Sequence, residues 1–340
     1  MVIGVVIVTF NAEDVISPCL RSLFSSIGGD LRVIVVDNAS CDDTVGAVRQ
    51  FVDRAELASH GDESVGTDVP GTLRIVESTK KIPALQNGEV GLIRSPENLG
   101  FAGGVNLGLK SFLDMPFVEA MWILNPDCVV EPSTAGRLAE RARQVGSYGI
   151  IGGRIYYDFP QFMIQSDGGT INLWTGTCHP FNMTRIGQDI PGPIEEDLDY
   201  IPGTHMLVSR EFISCAGLMP ENYFLYYEEM EWCLRRGNLP LLFCADAAVH
   251  HIGGQAAGSA TINNGPSPLS AYFMARSRMQ FVARMKPAAI PIAFVYVFAK
   301  ALRCIARRQV SIGFAMLRGL SGLGPTKEAL NKIGRTELPS

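Results

Sequence analysis

The chain has 340 residues, 47% of them hydrophobic and 19% charged. That is enough to bury a sizeable core, and it excludes a disordered, collagenous or disulfide-scaffolded protein. The net charge of −5 argues against a general nucleic-acid binder, but it hides a split. Residues 271–340 carry 12 Lys+Arg against 2 Asp+Glu, a net of +10, and residues 1–270 carry 17 against 32, a net of −15. Such asymmetry suggests that the basic region faces something anionic or docks on the acidic body. The eight cysteines are scattered without a CxxC or a Cys/His cluster, so they read as free, mostly buried thiols in a reducing compartment.

In chain order, Val2–Val8 is a β-branched run expected to form a strand buried on both faces rather than a signal peptide. Helical spacing over Asp14–Ser25 sets Val15, Ile16, Cys19, Leu20 and Leu23 on one face. Leu31–Val36 predicts a second strand, and cap-type residues Ser40–Asp43 precede a helix at Thr44–Leu57. This β-α-β-α order predicts an α/β fold with a doubly wound, mostly parallel sheet. Ala58–Thr72 reads as a mobile insertion.

Further strands are expected at Leu73–Glu77, Val90–Arg94, Ala120–Leu124, Ile150–Tyr157, Ile164–Leu173, Thr204–Val208 and Leu241–Ala245. Helices are expected at Asn98–Leu113, Ser133–Val145, Arg210–Ala216, Glu228–Arg236 and through most of the chain after Ser270. Thr175–Asp197 and Ile252–Pro268 read as loops, candidates for lids over a site. The longest apolar run, Ala288–Ala299, has twelve residues and contains Pro291, short for a membrane span.

Four constellations carry chemistry. Ligands bind open α/β sheets outside the strand C-terminal ends. The chain places Thr9-Phe10-Asn11, Asp37-Asn38 and Asn125-Pro126-Asp127 there. Asp37 could accept from a pyrimidine N3–H or hold a ribose hydroxyl, and Asp127 is a natural ligand for Mg²⁺ or Mn²⁺ on a diphosphate. Each alone could be a strand-ending cap; three after consecutive strands favour function. The small-residue run Asn98–Asn106 opens a helix, where it could let a nucleotide approach or simply pack on the sheet. Tyr226–Arg236 crowds Glu228, Glu229 and Glu231, and crowding raises carboxyl pKa values, as suits a general base. The plain alternative is a solvated helix paired with Arg235 and Arg236. Of His250 and His251, His250 is the one expected to join Asp127 at a metal, with His251 structural.

These pieces stand in one order: Val6–Asn11, Val35–Ser40, Asn98–Asn106, Leu124–Asp127, Gly203–Val208, Phe224–Glu231 and His250–Gly254. The ordered set resembles glycosyltransferase family 2, most nearly its rhamnosyltransferase branch, over about residues 2–330. The resemblance implies a GT-A fold and an inverting, metal-dependent transfer from a nucleotide-activated sugar. By it, residues 1–130 form the nucleotide-sugar-binding half and 131–270 the acceptor-binding, catalytic half, followed by a basic helical region at 271–340. It implies Thr9, Phe10, Asn11, Asp37, Asn38, Asn98, Gly100, Phe101, Ala102, Gly103, Asn106 and Asn125 around the donor. Asp127 is the metal ligand, helped by His250, and Glu229 beside Glu228 is the base. Thr204, His205, Tyr226, Trp232 and Arg235 stand on the acceptor side, with Trp232 or Tyr226 as a flat wall for a sugar.

Two departures stand out: Asn125 replaces a first metal carboxylate, and Glu229 is one methylene longer than the usual Asp. They support the alternative of a catalytically silent nucleotide-sugar binder or membrane scaffold. The expected donor is rhamnose on thymidine diphosphate, with a uridine diphosphate sugar as runner-up. The acceptor is a glycan or polyprenyl-linked glycan. The basic segments Pro287–Arg308 and Val310–Leu320 fit interfacial helices on an anionic leaflet, or a helical cap or homodimer interface. The expected location is cytoplasmic, peripheral on the inner face of the cell membrane.

Overall fold

The computed structural model describes residues 1–59, 72–253 and 265–338. Of the insertion expected at 58–72, residues 60–71 fall outside the described residues and Ala58 and Ser59 end a helix, while the centre of the loop expected at 252–268 also falls outside. The β-branched runs form β1 (Val2–Thr9) and β2 (Asp30–Asp37), with α1 (Glu13–Phe24) and α2 (Thr44–Ser59) as crossovers. The buried face of α1 is Val15, Ile16, Cys19, Leu20 and Leu23, as its spacing predicts. β3 (Arg74–Ser78), β4 (Glu89–Arg94), α3 (Gly100–Leu113) and β5 (Ala120–Leu124) follow. Next come β6 (Cys128–Val130), α4 (Thr134–Val145) and β7 (Ile150–Tyr157).

Ile164–Leu173, read as one strand, is two: β8 (Ile164–Ser166) and β9 (Gly169–Asn172). They part at Gly168, whose φ of +83° turns the chain. Thr175–Asp197, read as a loop, contains β10 (Thr177–Pro180), antiparallel to β9. Its far part is pinned rather than free. Buried Arg154 pairs with Asp167 at 2.7 Å and donates to the carbonyls of Gln188 and Ile190. β11 (His205–Ser209), α5 (Arg210–Ala216), α6 (Glu228–Leu234) and β12 (Leu241–His251) complete the sheet region. β12 continues past its expected end because a bulge between Cys244 and Ala248 restores its pairing with β7.

Among the described residues ten of these strands make one sheet in the order β3-β4-β2-β1-β5-β11-β7-β12-β6, with β8 on β7, and β9 and β10 form a separate two-stranded sheet. β1, β2, β3, β4 and β5 are parallel; β11 runs antiparallel between β5 and β7, and β12 is parallel to β7. This topology brings the ends at Thr9, Asp37, Leu124 and His251 to one edge, together with the starts of β11 and β6. Apolar cores cover both faces of the sheet.

The chain then forms α7 (Pro268–Met285), α8 (Ile290–Ala306), α9 (Val310–Leu320) and α10 (Lys327–Lys332). α8 is inside out. It buries the small residues Ala293, Val297 and Ala301 against α7 and α9, and turns Ile292, Phe294, Val295, Phe298 and Leu302 to the exterior. A Cβ at Gly313 would stand 2.8 Å from the Ala301 carbonyl, so only glycine lets α9 approach α8 this closely. With its preceding turn, α8 gives a 20-residue stretch, Pro287–Ala306, long and apolar enough by length and composition to cross a membrane. The twelve-residue run read from the sequence understated this helix. All eight cysteines are free; Cys19, Cys128 and Cys233 are buried, while Cys41 and Cys215 are exposed.

Candidate active site

A cleft of about 250 Å³ opens at the shared strand edge, lined at one end by Phe10, Asn11, Asn38 and Asn98 and at the other by Asp127, His251 and Glu229. Gly100, Phe101, Asn125, Thr204, Tyr226 and Glu228 also face it. Gly100, at φ +76°, lets the start of α3 press against the Phe224 carbonyl, which accepts from the Phe101 N–H at 3.2 Å. An added Cβ there would meet that carbonyl at 2.4 Å.

The acidic end holds two carboxylates whose polar atoms are incompletely satisfied. Oε2 of Glu228 and Oε2 of Glu229 are buried without a hydrogen-bond partner. Burial, and the charge of Glu229 beside it, push the Glu228 carboxyl well above the ordinary range. Burial pushes Glu229 up to about 6, opposed by backbone groups at Gly203, Met230 and Tyr227. Two buried carboxyls this close favour sharing a proton over carrying two negative charges, and burial raises Glu228 further than Glu229. The third acid does something else. Glu231 is buried in a cage of Tyr223, Arg235 and Arg284, and these partners outweigh its burial and hold its pKa low.

The backbone that delivers the pair is strained. Tyr226 and Tyr227 both have positive φ, +68° and +76°, immediately before α6. α7 holds them there: Ser270 Oγ lies 2.7 Å from the Tyr226 hydroxyl, Arg278 Nε donates to the Tyr227 hydroxyl at 2.7 Å, and Ser277 donates to the Leu225 carbonyl at 2.8 Å. The Tyr227 hydroxyl donates onward to the Gly176 carbonyl at 2.6 Å.

At the metal candidate the expected histidine is corrected. Adjacent strand residues point to opposite faces, and it is His251 whose Nε2 stands 3.1 Å from Asp127 Oδ1. His250 instead stacks on Tyr156 and reaches Glu131 at 3.2 Å. Burial raises the Asp127 carboxyl, but His251 and backbone groups at Asp127 and Gly253 together outweigh it, so the group ends below its ordinary value. His251 Nδ1 lies 2.8 Å from Gln165 Oε1, a contact that fixes the ring with Nε2 toward Asp127. At 3.1 Å the pair is joined by a hydrogen bond, and the same two atoms could take a divalent ion in place of that proton. Asp127, Cys128 and His251 offer ligand atoms within 4.8 Å of one another. Cys128 is a poor ligand, because burial and the charge of Asp127 raise its thiol pKa well above the ordinary value. One carboxylate and one imidazole fit Mn²⁺ or Mg²⁺ that also takes substrate oxygens.

Several expected donor-side residues shape the cleft without exposing free polar atoms to it. Asn38 donates to Asn98 Oδ1 and the Gly100 carbonyl and accepts from Leu99 N–H. Asn98 accepts also from Gly100 N–H and donates to the Ile333 carbonyl. Thr9 and Asp37 lie beneath the edge, joined at 3.4 Å, and burial raises the Asp37 carboxyl. Asn11, at φ +51°, is braced by Ser40 and Cys41. Ala102 is in the core, Gly103 packs on Leu99, and Asn106 is spent on Met219 and Glu221.

On the expected acceptor side, Thr204 and Tyr226 reach the cleft, and the other three residues do not. Trp232 is fully buried, edge-on to Phe212, with its N–H on the Gly217 carbonyl. His205 is buried, accepts from Trp122 at Nδ1, and is neutral because burial lowers its pKa to about 4. Arg235 pairs with Glu231. Sequence reasoning missed His251 as the partner of Asp127, the latch from α7, and Gln165; alternation along β12 says that the two histidines face opposite ways, not which one meets Asp127.

The family model for Glycosyl transferase family 2 matches residues 4–62 and 66–206. The chain is 26% identical over 238 residues, 68% of its length, to the low-salt glycan biosynthesis hexosyltransferase Agl10 of Haloferax volcanii, and spans 61% of that relative. Its fold is similar to GalNAc-T7 solved with UDP, GalNAc and Mn²⁺ (TM-score 0.52, 14% identity, 82% of this chain and 51% of that one). It is also similar to S. aureus TarS 1-349 in complex with UDP-GlcNAc (TM-score 0.51, 14% identity, 98% and 84%). The mostly parallel sheet with its cleft at the strand ends is thus GT-A-like, and the match over more than half of the sequence settles membership: the chain belongs to glycosyltransferase family 2.

Proposed function

We propose that the chain moves a sugar from a nucleoside diphosphate donor to an acceptor hydroxyl by single displacement with inversion. The observation that carries this is the Glu229 carboxylate, held by backbone groups with its Oε2 left without a partner, facing the same cleft as the Asp127–His251 pair. Glu229 takes the proton from the acceptor hydroxyl, and the freed oxygen attacks the anomeric carbon opposite the leaving diphosphate. Burial and the neighbouring charge favour the neutral form of Glu228, which limits the negative charge of the site. Asp127 and His251 would hold Mn²⁺ or Mg²⁺, which supplies positive charge for the leaving diphosphate when bound. The Asn38–Asn98 pair fixes the small-residue loop that the nucleoside passes. A silent binder would have no use for a strained backbone delivering an unpaired acid, at a cost of about 1–3 kcal/mol per strained residue.

Rhamnose on thymidine diphosphate is the proposed donor, on the motif resemblance; a uridine diphosphate hexose is the competitor. The acceptor is a glycan, free or polyprenyl-linked, of cell-envelope polysaccharide. We place the protein on the cytoplasmic face of the cell membrane, with α8 and α9 on the anionic leaflet. Val295 is 65% and Phe314 61% exposed there. Among the described residues Lys300, Arg303, Arg307 and Arg308 enter no ion pair. Exposed aromatics flanked by unpaired cations match a headgroup layer over acyl chains.

A thermal-shift panel of nucleotide sugars, with and without Mn²⁺ or Mg²⁺, tests the donor reading. A metal-dependent rise confined to thymidine diphosphate rhamnose supports it; a rise confined to a uridine diphosphate sugar replaces the donor, and no rise with any nucleotide sugar rejects the function.

A further inference from the structure

The segment after α9 returns to the cleft. Thr326 caps α10, its hydroxyl accepting from Ala329 N–H at 3.2 Å, and the chain then turns at Gly334 with φ +64°. Three contacts fix the return. Asn98 Nδ2 donates to the Ile333 carbonyl at 3.0 Å, and Arg335 Nη1 pairs with Glu97 Oε2 at 2.5 Å. Gly334 stands over Phe10, where an added Cβ would meet the ring at 3.5 Å. Ile333 is buried among Leu269, Tyr272 and Phe273, yet it lines the cleft beside Phe10 and Asn98. This wall comes from far beyond residue 206, where the family match ends.

We propose that residues 333–335 form the wall of the donor site against which the nucleoside is held. The inference rests on the donor reading above. With Asp127 and His251 at the diphosphate end, the Phe10–Asn98 end is left for base and ribose, and Ile333 gives it an apolar face. The segment is a wall rather than an occupant. Its carbonyl completes Asn98, and the cleft of about 250 Å³ remains open beside it. Because Asn98 also holds Gly100 and Asn38, the wall and the small-residue loop are one hydrogen-bonded unit.

The experiment compares the full chain, a truncation after Lys332 and Ile333→Ala. Each is titrated with thymidine and uridine diphosphate, and separately with inorganic pyrophosphate, all with Mn²⁺. The wall predicts that truncation raises the nucleotide Kd by about tenfold or more while pyrophosphate binding is unchanged. Ile333→Ala keeps the carbonyl and the Arg335 tether, so it reports even if the truncated chain does not fold. It should raise the nucleotide Kd about threefold to tenfold, as expected for removing part of one apolar contact surface. Unchanged or tighter nucleotide binding in Ile333→Ala, or equal loss of nucleotide and pyrophosphate, overturns the proposal. If the full chain binds neither nucleotide, the donor reading itself fails and the wall falls with it; binding by the full chain with no effect of Ile333→Ala rejects the wall alone.

Discussion

At the cleft edge of the sheet, polar atoms are buried; along α8, apolar side chains are exposed. The first region holds Glu228 and Glu229 out of water with unpartnered oxygens, and the second holds Phe294, Val295 and Phe298 in solvent. Both arrangements cost stability when the chain stands alone. Burying an unpaired polar group costs about 1–3 kcal/mol, and leaving a large apolar side chain exposed forgoes roughly 1.5–3 kcal/mol. The same kind of departure from a relaxed globule thus marks the two places to which the proposed function assigns a binding partner. α7 joins them: it packs on α8 and α9 on one side and grips Tyr226, Tyr227 and Glu231 on the other.

The largest expected effect breaks the cleft side of this comparison. Asp127→Ala should lower metal-dependent turnover about 10³-fold, the order lost when charge stabilisation of a leaving group is removed. His251→Ala should weaken activation by Mn²⁺ and His250→Ala should not, a contrast read from the metal dependence of initial rates. Next comes the joint. Arg278→Ala frees the Tyr227 hydroxyl and should lower kcat about 10–100-fold with little change in donor KM, as for a displaced catalytic group.

The α8 side should respond separately. Phe294→Ser with Phe298→Ser should weaken binding to vesicles of anionic lipid about tenfold or more, while turnover of a water-soluble acceptor is unchanged. Equal binding of wild type and variant would return α8 to the role of a cap or a dimer face. The smallest effect concerns stability. Glu228 binds its proton more tightly folded than unfolded, so its contribution is intact below the ordinary glutamate range and declines as pH rises above it. Glu228→Gln should therefore raise Tm at pH 8 and raise it less at pH 5, as thermal melts at the two pH values would read.

Much of this was legible in the sequence because it depends on local pattern. The β-branched runs, the face of α1 and the polar residues ending β1, β2 and β5 follow from periodicity and turn chemistry. β6 escaped notice because three residues carry no period and pair only once β12 is in place. The histidine pair was legible as a pair; which member meets Asp127 depends on a register, His251 opposite Cys128, that no local rule sets. Asn98 and Asn106 looked like ligand residues because an amide in a glycine-rich loop is ambiguous, and only the fold shows Ile333, Met219 and Glu221 consuming them. Trp232 and Arg235 were expected on the acceptor side, but α6 turns Trp232 into the core, and Arg235 pairs with Glu231 one helical turn away, as the plain alternative for Arg235 had it.

The central claim is that Glu229 is a base poised near pH 6 in the donor cleft. Its most direct test measures nucleotide affinity and transfer rate together for wild type and Glu229→Gln across pH 5–8. The account predicts that wild-type kcat/KM climbs through an apparent pKa of about 6, and that Glu229→Gln loses about 10²–10⁴-fold in rate and this ascending limb while keeping its nucleotide affinity. Transfer by Glu229→Gln at a near wild-type rate would contradict it.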